Sequence, residues 1–370
     1  METQITIKGL FDSIGTSVEF ETLQPGTNLV PAPPRFSFGT FPADIAAAYY
    51  RNTHLWATGV YKLYGFDVFG HFALCKNGEL YGSHEVNMHA QYVKDVVDRL
   101  GLPTAPRPRQ FLTGPVAMIT GPGHGIYGHW LSDFLPKLYL LHASGRDVRQ
   151  LRYLLPADTP AFGRAWFDVL GIPPENVIPF DPDGELVWVE ELLVPTTFHN
   201  GVRVSSLLKD AARFLLSLVV DHTGELMPTS GHRRMFVSRA RTSQSRSLQN
   251  RVRIEEIAIQ AGLELVYPES MTLPQQMRLF GEASMIVGEY GSALHNSLFS
   301  LPGTTVCALR GSLGHPGFIQ SGFGQALGQP TGYVFGEQAD QSADGRFFVS
   351  ELDFAECLRT LLVASGFESL

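Results

Sequence analysis

The chain has 370 residues and a formal net charge of −8, with 44% hydrophobic and 17% charged residues. This is an ordinary globular composition, and the length suits two domains better than one core. The acidic balance argues against wholesale nucleic-acid binding, which needs a basic surface, but it leaves room for a local basic pocket.

The cysteines and the chain start bear on the cellular setting. Cys75, Cys307 and Cys357 are scattered and form no Cys-x-x-Cys pair, so we expect neither a disulfide framework nor a zinc site, and a reducing compartment fits. The N-terminus lacks the pattern of a secretion signal, and no run approaches the roughly 18 apolar residues of a membrane span. We therefore predict a cytoplasmic protein and leave peripheral membrane association open.

The first third of the chain changes character twice. Residues 1–55 are predicted to be irregular because prolines interrupt them. Residues 56–81 are rich in aromatic and β-branched side chains, and Asn77-Gly78 predicts a hairpin there. A strand at 115–120 is followed by a glycine-rich loop at 121–128.

The next stretch predicts helices and strands in alternation. The spacing of apolar residues predicts a helix from His129 to His142, which Pro136 should kink or shorten. Further elements follow in alternation: strands at 152–155, 177–180 and 186–194, and helices at 160–170 and 203–222. This order indicates α/β architecture with a mostly parallel sheet.

A second α/β set begins at residue 234. Its predicted elements are strands at 234–237, 263–266, 285–287 and 304–306, and helices at 252–261, 273–283 and from 292 onwards. Gly262 should end one helix, and Thr272 should cap the start of the next. Residues 311–330 contain many glycines and are predicted to be a loop, and a last helix is expected at 351–364.

The turn after the strand at 285–287 is the first candidate site. Gly288 ends the strand, and Gly291 and Ser292 open the following helix, so backbone N–H groups and the helix dipole should favour an anion such as phosphate. An ordinary βαβ turn with nothing bound needs only the glycines, whereas this turn also carries polar residues. These are Glu289, Tyr290, Ser292, His295 and Asn296.

A second candidate site lies at the start of the helix after the glycine-rich loop. His129 and Asp133 are four residues apart and share one helical face, close to His124 in the loop. A carboxylate there could act as a general base on a hydroxyl group. The alternative is a His–Asp pair that only fixes the helix start, where the dipole favours an acidic residue in any case.

The second half also concentrates arginines in an acidic protein. Ser238-Arg239-Ala240-Arg241 directly follows a strand, where a phosphate would lie in an α/β domain, and arginine donates paired hydrogen bonds to phosphate oxygens. The run comprises Arg233, Arg234, Arg239, Arg241, Arg246, Arg251 and Arg253. The alternative is a solvated basic loop.

Two other chemistries find little support. His84, Glu85 and His89 do not match metalloprotease spacing, so no metal site is predicted. A hydrolase is disfavoured because the chain has no Gly-x-Ser-x-Gly nucleophile elbow.

Three blocks between about residues 115 and 310 resemble glycosyltransferase family 61. The first is Gly128-His129-Trp130-Leu131-Ser132-Asp133-Phe134-Leu135-Pro136-Lys137-Leu138, similar to the family's "HW..D.LP.L" pattern. The second is Val237-Ser238-Arg239 with Arg246 and Asn250. The third comprises Pro268-Glu269, Gln276, Leu279-Phe280, Ala283, Gly288, Gly291, Leu294, Asn296 and Phe299-x-x-Pro302-Gly303-Thr304. The blocks occur in the family's order.

The resemblance implies a GT-B fold, in which two Rossmann-like domains face each other across a cleft. It implies an inverting transfer from a nucleotide sugar to a glycan or glycolipid acceptor, without an essential metal or other cofactor, as in bacterial surface polysaccharide synthesis. We expect an acceptor-side α/β domain with a β-rich start at 1–205, a donor-binding domain at 206–350, and a C-terminal helix at 351–370 that packs back on the first domain.

The resemblance and the chemical needs of inverting transfer together give each candidate residue an expected role. Asp133 would be the base, with His129 orienting it or substituting for it. The predicted donor-binding residues are Arg239, Arg246, Asn250, Glu269, Gln276, Glu289, Tyr290, Gly291, Ser292, His295 and Asn296. Arginines, backbone N–H groups and a helix N-terminus would stabilise the leaving diphosphate.

The chain departs from the family at a few positions. The family commonly has His at Tyr290, Ala-Gly at Ser292-Ala293 and Glu at Ala308, although its glutamate is kept at Glu269. These departures motivate an alternative function, a non-catalytic nucleotide- or carbohydrate-binding module with the same fold. The sequence does not name the sugar, the nucleotide, the acceptor or the oligomeric state.

Overall fold

A computed structural model describes residues 6–50, 54–103, 108–225, 227–241, 247–313, 317–340 and 345–364. Its strands in chain order are β1 (Ile7–Gly9), β2 (Val18–Gln24), β3 (Thr27–Asn28), β4 (Ser37–Phe38), β5 (His54–Leu55), β6 (Thr58–Phe69), β7 (Ala73–Lys76), β8 (Glu79–Gly82), β9 (Arg109–Ala117), β10 (Arg152–Pro156), β11 (Val177–Phe180), β12 (Leu186–Pro195), β13 (His199–Asn200), β14 (Arg203–Val204), β15 (Arg233–Val237), β16 (Glu264–Val266), β17 (Ala283–Glu289), β18 (Thr305–Gly311), β19 (Thr331–Gln338) and β20 (Phe347–Phe348).

The α-helices are α1 (Ala43–Tyr50), α2 (Ala90–Leu100), α3 (Tyr127–His129), α4 (Lys137–Ala143), α5 (Ala161–Val169), α6 (Leu208–Thr223), α7 (Arg251–Gln260), α8 (Leu273–Gly281), α9 (Ile319–Leu327) and α10 (Glu351–Ala364). A π-helical turn, Trp130–Phe134, lies between α3 and α4, and 3₁₀ turns occur at Phe11–Ser13, His84–Val86, Pro174–Asn176, Pro268–Ser270 and Ser292–Phe299. The chain is therefore of the α/β class, as the alternation of patterns predicted.

The chain divides into two compact units that interleave along the sequence. The first comprises Met1–Thr27, His54–Asn200 and Asp210–Gly224, and the second comprises Asn28–Thr53, Gly201–Lys209 and Glu225–Leu370. The segments expected at 1–205 and 206–350 differ from these units, because 28–53 joins the second unit, where β4 pairs with β19. Helix α6 begins in the second unit, but most of it belongs to the first.

The first unit is built on a mixed sheet with the strand order β1-β8-β7-β6-β12-β9-β10-β11, and β2 also pairs with β6. Strands β12, β9, β10 and β11 run parallel, while β6 is antiparallel to β12. The predicted hairpin at Asn77-Gly78 joins β7 to β8, and both residues have the positive φ (52° and 82°) that a two-residue hairpin turn requires.

The second unit is a doubly wound sheet with the order β16-β15-β17-β18-β19-β20, parallel except at β20. Alternate residues of β15 and β17 enter opposite apolar clusters: Met235, Val237 and Ile286 on one face, Phe236, Met285 and Val287 on the other. Because both faces are covered, these strands are continuous hydrophobic runs.

Several local predictions are confirmed. Helix α7 ends before Gly262, which has φ +80°. Thr272 caps α8 in a reciprocal arrangement, its hydroxyl accepting from N–H of Gln275 while the Gln275 side chain accepts from N–H of Thr272. Pro136 separates the π-helical turn from α4, as its inability to continue the backbone hydrogen bonds predicts.

Two predictions are wrong. Residues 311–330 are not all loop, because α9 occupies 319–327 despite its glycines. A Cβ on Gly322 would lie 2.3 Å from the carbonyl oxygen of Val202, so this glycine serves close packing inside a helix. Residues 1–55 are not irregular throughout, because β2 pairs with β6 and α1 forms at 43–50.

Two further elements differ from expectation. The segment after Gly291 is a 3₁₀ helix rather than an α-helix. The C-terminal helix α10, which was expected to return to the first domain, contributes Phe354 and Leu358 to the apolar cluster of the second unit that also contains Ile254 of α7.

Candidate active site

Asp133 is the centre of a hydrogen-bonded group in the first unit. Nδ1 of His129 lies 2.5 Å from its Oδ2, Nε2 of His199 lies 2.6 Å from its Oδ1, and the Ser132 hydroxyl donates to Oδ1 at 2.7 Å. The Asp133 residue is 3% exposed. Both carboxylate oxygens are therefore held by neighbouring side chains.

The local backbone explains how these groups meet. N–H of Leu135 donates to the carbonyl of Trp130 at 2.9 Å, the i→i+5 bond of a π-helical turn, a feature that often marks functional sites. The loop before it packs against the imidazole, since a Cβ on Gly123 would lie 2.8 Å from the His129 ring. His199 follows β12, which runs parallel to β9, so the two segments leave the same edge of the sheet.

The charges in this group favour an ionised Asp133. Burial by itself would raise the pKa of Asp133, but attraction to His199 and hydrogen bonds with His129 and His199 outweigh it and hold that pKa well below its usual range. For His129, burial would lower the pKa, but the hydrogen bond and charge of Asp133 raise it above its ordinary value. The side chain of His129 is 39% exposed, which makes it the accessible member of the pair.

A buried lysine lies beside this group. Lys137 is 1% exposed, and its ammonium lies 5.7 Å from the centroid of the Phe134 ring. Burial lowers the pKa of Lys137 to about 8, although the Asp133 carboxylate opposes the shift.

In the second unit, the sheet order reverses between β15 and β17, because β16 lies on one side of β15 while β17 and β18 extend the sheet on the other. Ligands of doubly wound sheets bind at the carboxyl ends of the strands at this switch point. Here β15 leads to Arg239 and β17 leads to Gly291. N–H of Arg239 donates to Glu289 at 3.0 Å, and its guanidinium donates to the carbonyl of Tyr290 at 3.2 Å.

The two residues before Gly291 hold this turn in place. Glu289 is 1% exposed and accepts two hydrogen bonds from the Arg251 guanidinium, at 2.7 and 2.9 Å. The Tyr290 ring lies 5.1 Å from the guanidinium carbon of Arg310. A Cβ on Gly291 would come within 3.3 Å of the Arg239 guanidinium, so the glycine lets this cation approach the backbone.

Four other predicted donor-site residues make internal contacts. Asn250 bonds the backbone of Val349 through both side-chain atoms, at 2.8 and 3.3 Å. Asn296 donates to Gln276 at 3.1 Å, and Nδ1 of His295 lies 3.3 Å from the Gln320 side chain.

The remaining predicted residues are less informative. Glu269 is exposed in a 3₁₀ turn, and Ser292 opens the 3₁₀ helix after Gly291. Arg246 lies outside the described residues.

Of the predicted donor-site residues, the structure brings Arg239, Glu289, Tyr290 and Gly291 into contact with one another.

Three residues of these groups were missed as site residues. His199 contacts Asp133 from 66 positions away, but its place just after a strand of the same sheet was a usable signal. Arg251 was noticed only as one of a basic run, and Lys137 only as part of a motif.

No helix in the described ranges is long and apolar enough to cross a membrane.

The fold and these groups define an α/β protein with an arginine-bearing switch point in one unit and a carboxylate–imidazole group in the other. Residues 127–307 match the sequence model of the family described as Glycosyltransferase 61. The matched range contains both groups. It supports the family resemblance and indicates glycosyltransferase activity. A comparison with curated proteins gives no match.

Proposed function

We propose that this protein is an inverting glycosyltransferase that moves a sugar from a nucleotide-sugar donor to a hydroxyl group of a glycan or glycolipid acceptor, in bacterial surface polysaccharide synthesis. The proposal includes a GT-B arrangement, a cytoplasmic location and independence of metal for the transfer. The family match supports the reaction class. The observation that carries the proposal is Arg239 at the switch point, beside the Gly291 turn.

We assign the donor to the second unit. The Arg239 guanidinium and the backbone N–H groups after Gly291 would bind the diphosphate, whose negative charge grows as the sugar leaves. Glu289 acts as a positioning residue, because its carboxylate is engaged by Arg251 and by the Arg239 backbone. Asn250, Gln276 and Asn296 support the surrounding loops through the contacts described above.

The geometry favours His129 as base and Asp133 as its positioning residue, the reverse of the first assignment from sequence. Asp133 is buried and its two oxygens are occupied, so an acceptor hydroxyl cannot easily reach it. The contact of Asp133 with Nδ1 leaves Nε2 of the partly exposed His129 to take the hydroxyl proton. The acceptor oxygen then bonds to the anomeric carbon, and the bond from that carbon to the diphosphate oxygen breaks.

The first unit also offers a place for an acceptor sugar. A cavity of about 400 Å³ is lined by Phe11, Phe20, Gly26, His54, Trp56, Ala57, Tyr61 and Glu85. Aromatic faces can cover the apolar face of a sugar ring, and the Glu85 carboxylate, which accepts from the Tyr61 hydroxyl at 2.6 Å, can accept from sugar hydroxyls. N–H of Thr197 donates to the carbonyl of Glu85 at 2.6 Å. Because Thr197 is two residues before His199, this bond connects the cavity wall to the segment that carries His199.

Nucleotide binding tests the donor assignment. We would measure the thermal stability of the protein with UDP, GDP, CDP, CMP and dTDP, with and without their sugars. A ligand at 100 times its Kd stabilises by about 2.7 kcal/mol. One nucleotide should stabilise the wild type and fail to stabilise Arg239→Ala, while Arg278→Ala, whose exposed side chain lies in the same unit, should respond normally.

Turnover of the stabilising nucleotide sugar then separates an enzyme from a binding module. Release of nucleotide in the presence of mixed glycan acceptors should fall by about 10²- to 10⁴-fold in His129→Ala. Tight binding without hydrolysis or transfer in any acceptor mixture would instead favour the non-catalytic module. Full stabilisation of Arg239→Ala would refute the donor site.

A further inference from the structure

Three side chains of types that can bind a metal converge in the first unit, apart from the Asp133 group. His71 lies in the turn between β6 and β7, His124 in the glycine-rich loop after β9, and Asp158 just after β10. Nε2 of His71 lies 2.8 Å from Oδ2 of Asp158, and Nε2 of His124 lies 3.3 Å from Oδ1. The potential ligand atoms all lie within 4.8 Å of one another.

The two imidazole rings both face the Asp158 carboxylate, so one ion could contact all three side chains. Their rings stack at 4.5 Å between centroids with 23° between planes, and both direct Nε2 towards the same carboxylate. Zinc binds nitrogen and oxygen ligands at about 2.0–2.1 Å, so neighbouring ligands in a tetrahedron lie about 3.3 Å apart. The distance from His124 to Oδ1 of Asp158, 3.3 Å, equals that separation, and the distance from His71 to the other oxygen, Oδ2, is shorter at 2.8 Å.

The backbone holds these ligands firmly. Phe72, which follows His71, is a buried non-glycine residue with φ 77°, a left-handed conformation that persists only where its surroundings fix it. The Tyr92 hydroxyl donates to the carbonyl of His71, and the Trp130 indole N–H donates to the carbonyl of His124 at 2.8 Å. A site fixed in this way loses little conformational freedom when an ion binds.

We propose that His71, His124 and Asp158 bind a divalent transition-metal cation, with zinc as the best fit and water as the fourth ligand. Two imidazole nitrogens and one carboxylate oxygen suit zinc rather than magnesium or calcium, which prefer all-oxygen sites. The ion would connect three chain segments. It would also fix the glycine-rich loop, in which Gly123 packs against His129. Its role is to stabilise this loop, and it takes no part in the sugar transfer.

Zinc binding to the whole protein tests the proposal. The protein would be stripped with a chelator, incubated with ZnCl₂, separated by gel filtration and analysed for metal content, with a calorimetric titration for affinity. We expect one zinc ion per chain and a rise in Tm on zinc addition. Since loss of an outer-shell partner alone costs 10- to 100-fold, loss of a ligand should weaken binding by more than about 100-fold.

The variants are Asp158→Asn and His124→Gln. Asp158 is exposed, so its amide replacement should fold normally and isolates loss of the ligand charge. The matched control is His84→Gln, which replaces an exposed histidine of this unit that stacks on His89 with centroids 5.8 Å apart. Cobalt in place of zinc should give the strong visible absorption of a tetrahedral site in the wild type and the control.

Loss of zinc binding in both variants and its retention in the control would support the site. Absence of bound zinc in the wild type, or undiminished binding by either Asp158→Asn or His124→Gln, would overturn it. In that case the cluster is a metal-free hydrogen-bonded network of one carboxylate and two imidazoles. These measurements need no sugar transfer, so they stand apart from the proposed function.

Discussion

Lys137 should reduce the stability of the folded protein at neutral pH. Its side chain is buried beside the Phe134 ring, and burial lowers its pKa from 10.5 to about 8. That difference corresponds to about 3 kcal/mol, since one pKa unit is about 1.4 kcal/mol. Below about pH 8 both the folded and the unfolded chain carry the proton, so the full cost of burying the charge is present. Between about pH 8 and 10.5 only the unfolded chain carries it, so stability rises with pH.

The substitution Lys137→Met removes the charge and keeps an unbranched side chain that is one atom shorter. We expect the variant to be more stable than the wild type at pH 7, by up to about 3 kcal/mol, and the difference to shrink as pH rises from 8 to 10. Urea unfolding of both proteins between pH 7 and 10 measures this difference in the free energy of unfolding. Comparing the two proteins cancels the titration of other groups. A variant that is less stable at pH 7, or a difference that does not change with pH, would refute the reasoning.

The other predictions concern single contacts. Glu289→Gln breaks a buried ion pair and should lower the free energy of unfolding in urea by about 3 kcal/mol. The exposed Arg253→Gln should lower it by less than about 1 kcal/mol, and equal losses in the two variants would contradict this. Gly322→Ala should cost about 1–3 kcal/mol because its Cβ would meet a backbone oxygen, whereas Gly125→Ala, with open space around it, should change stability by less than about 0.5 kcal/mol. Asp133 raises the pKa of His129, so Asp133→Asn should lower the rate and move the acidic limb of the pH–rate profile to lower pH; an unmoved limb would argue against His129 as base.

The local features of the fold could be predicted because their causes lie within a few residues. The Asn77-Gly78 turn depends on the φ angles of two residues, and the cap at Thr272 depends on a residue three positions later. The failure at 311–330 has a physical reason too. Glycine lowers helix propensity in general, but in α9 Gly322 lets the helix approach Val202 closely, which propensity alone cannot show.

The same division applies to the candidate site. The pattern around His129 and Asp133 predicted their contact, because residues four apart share a helical face. Strand order in a sheet cannot be predicted from local sequence. Two contacts depend on it: that of His199 with Asp133 and that of Arg251 with Glu289.

The sequence by itself determined the α/β class, the main alternating strands and helices between about residues 152 and 306, and the identity of the polar groups that could do chemistry. The tertiary structure decided the environment of each group, and with it the role we assign. The sequence pattern suggests Asp133 as a base, but its burial between two imidazoles is the reason why we propose a positioning role for it. Burial and distant partners set the charge state and accessibility of a side chain, and both arise only when the chain folds.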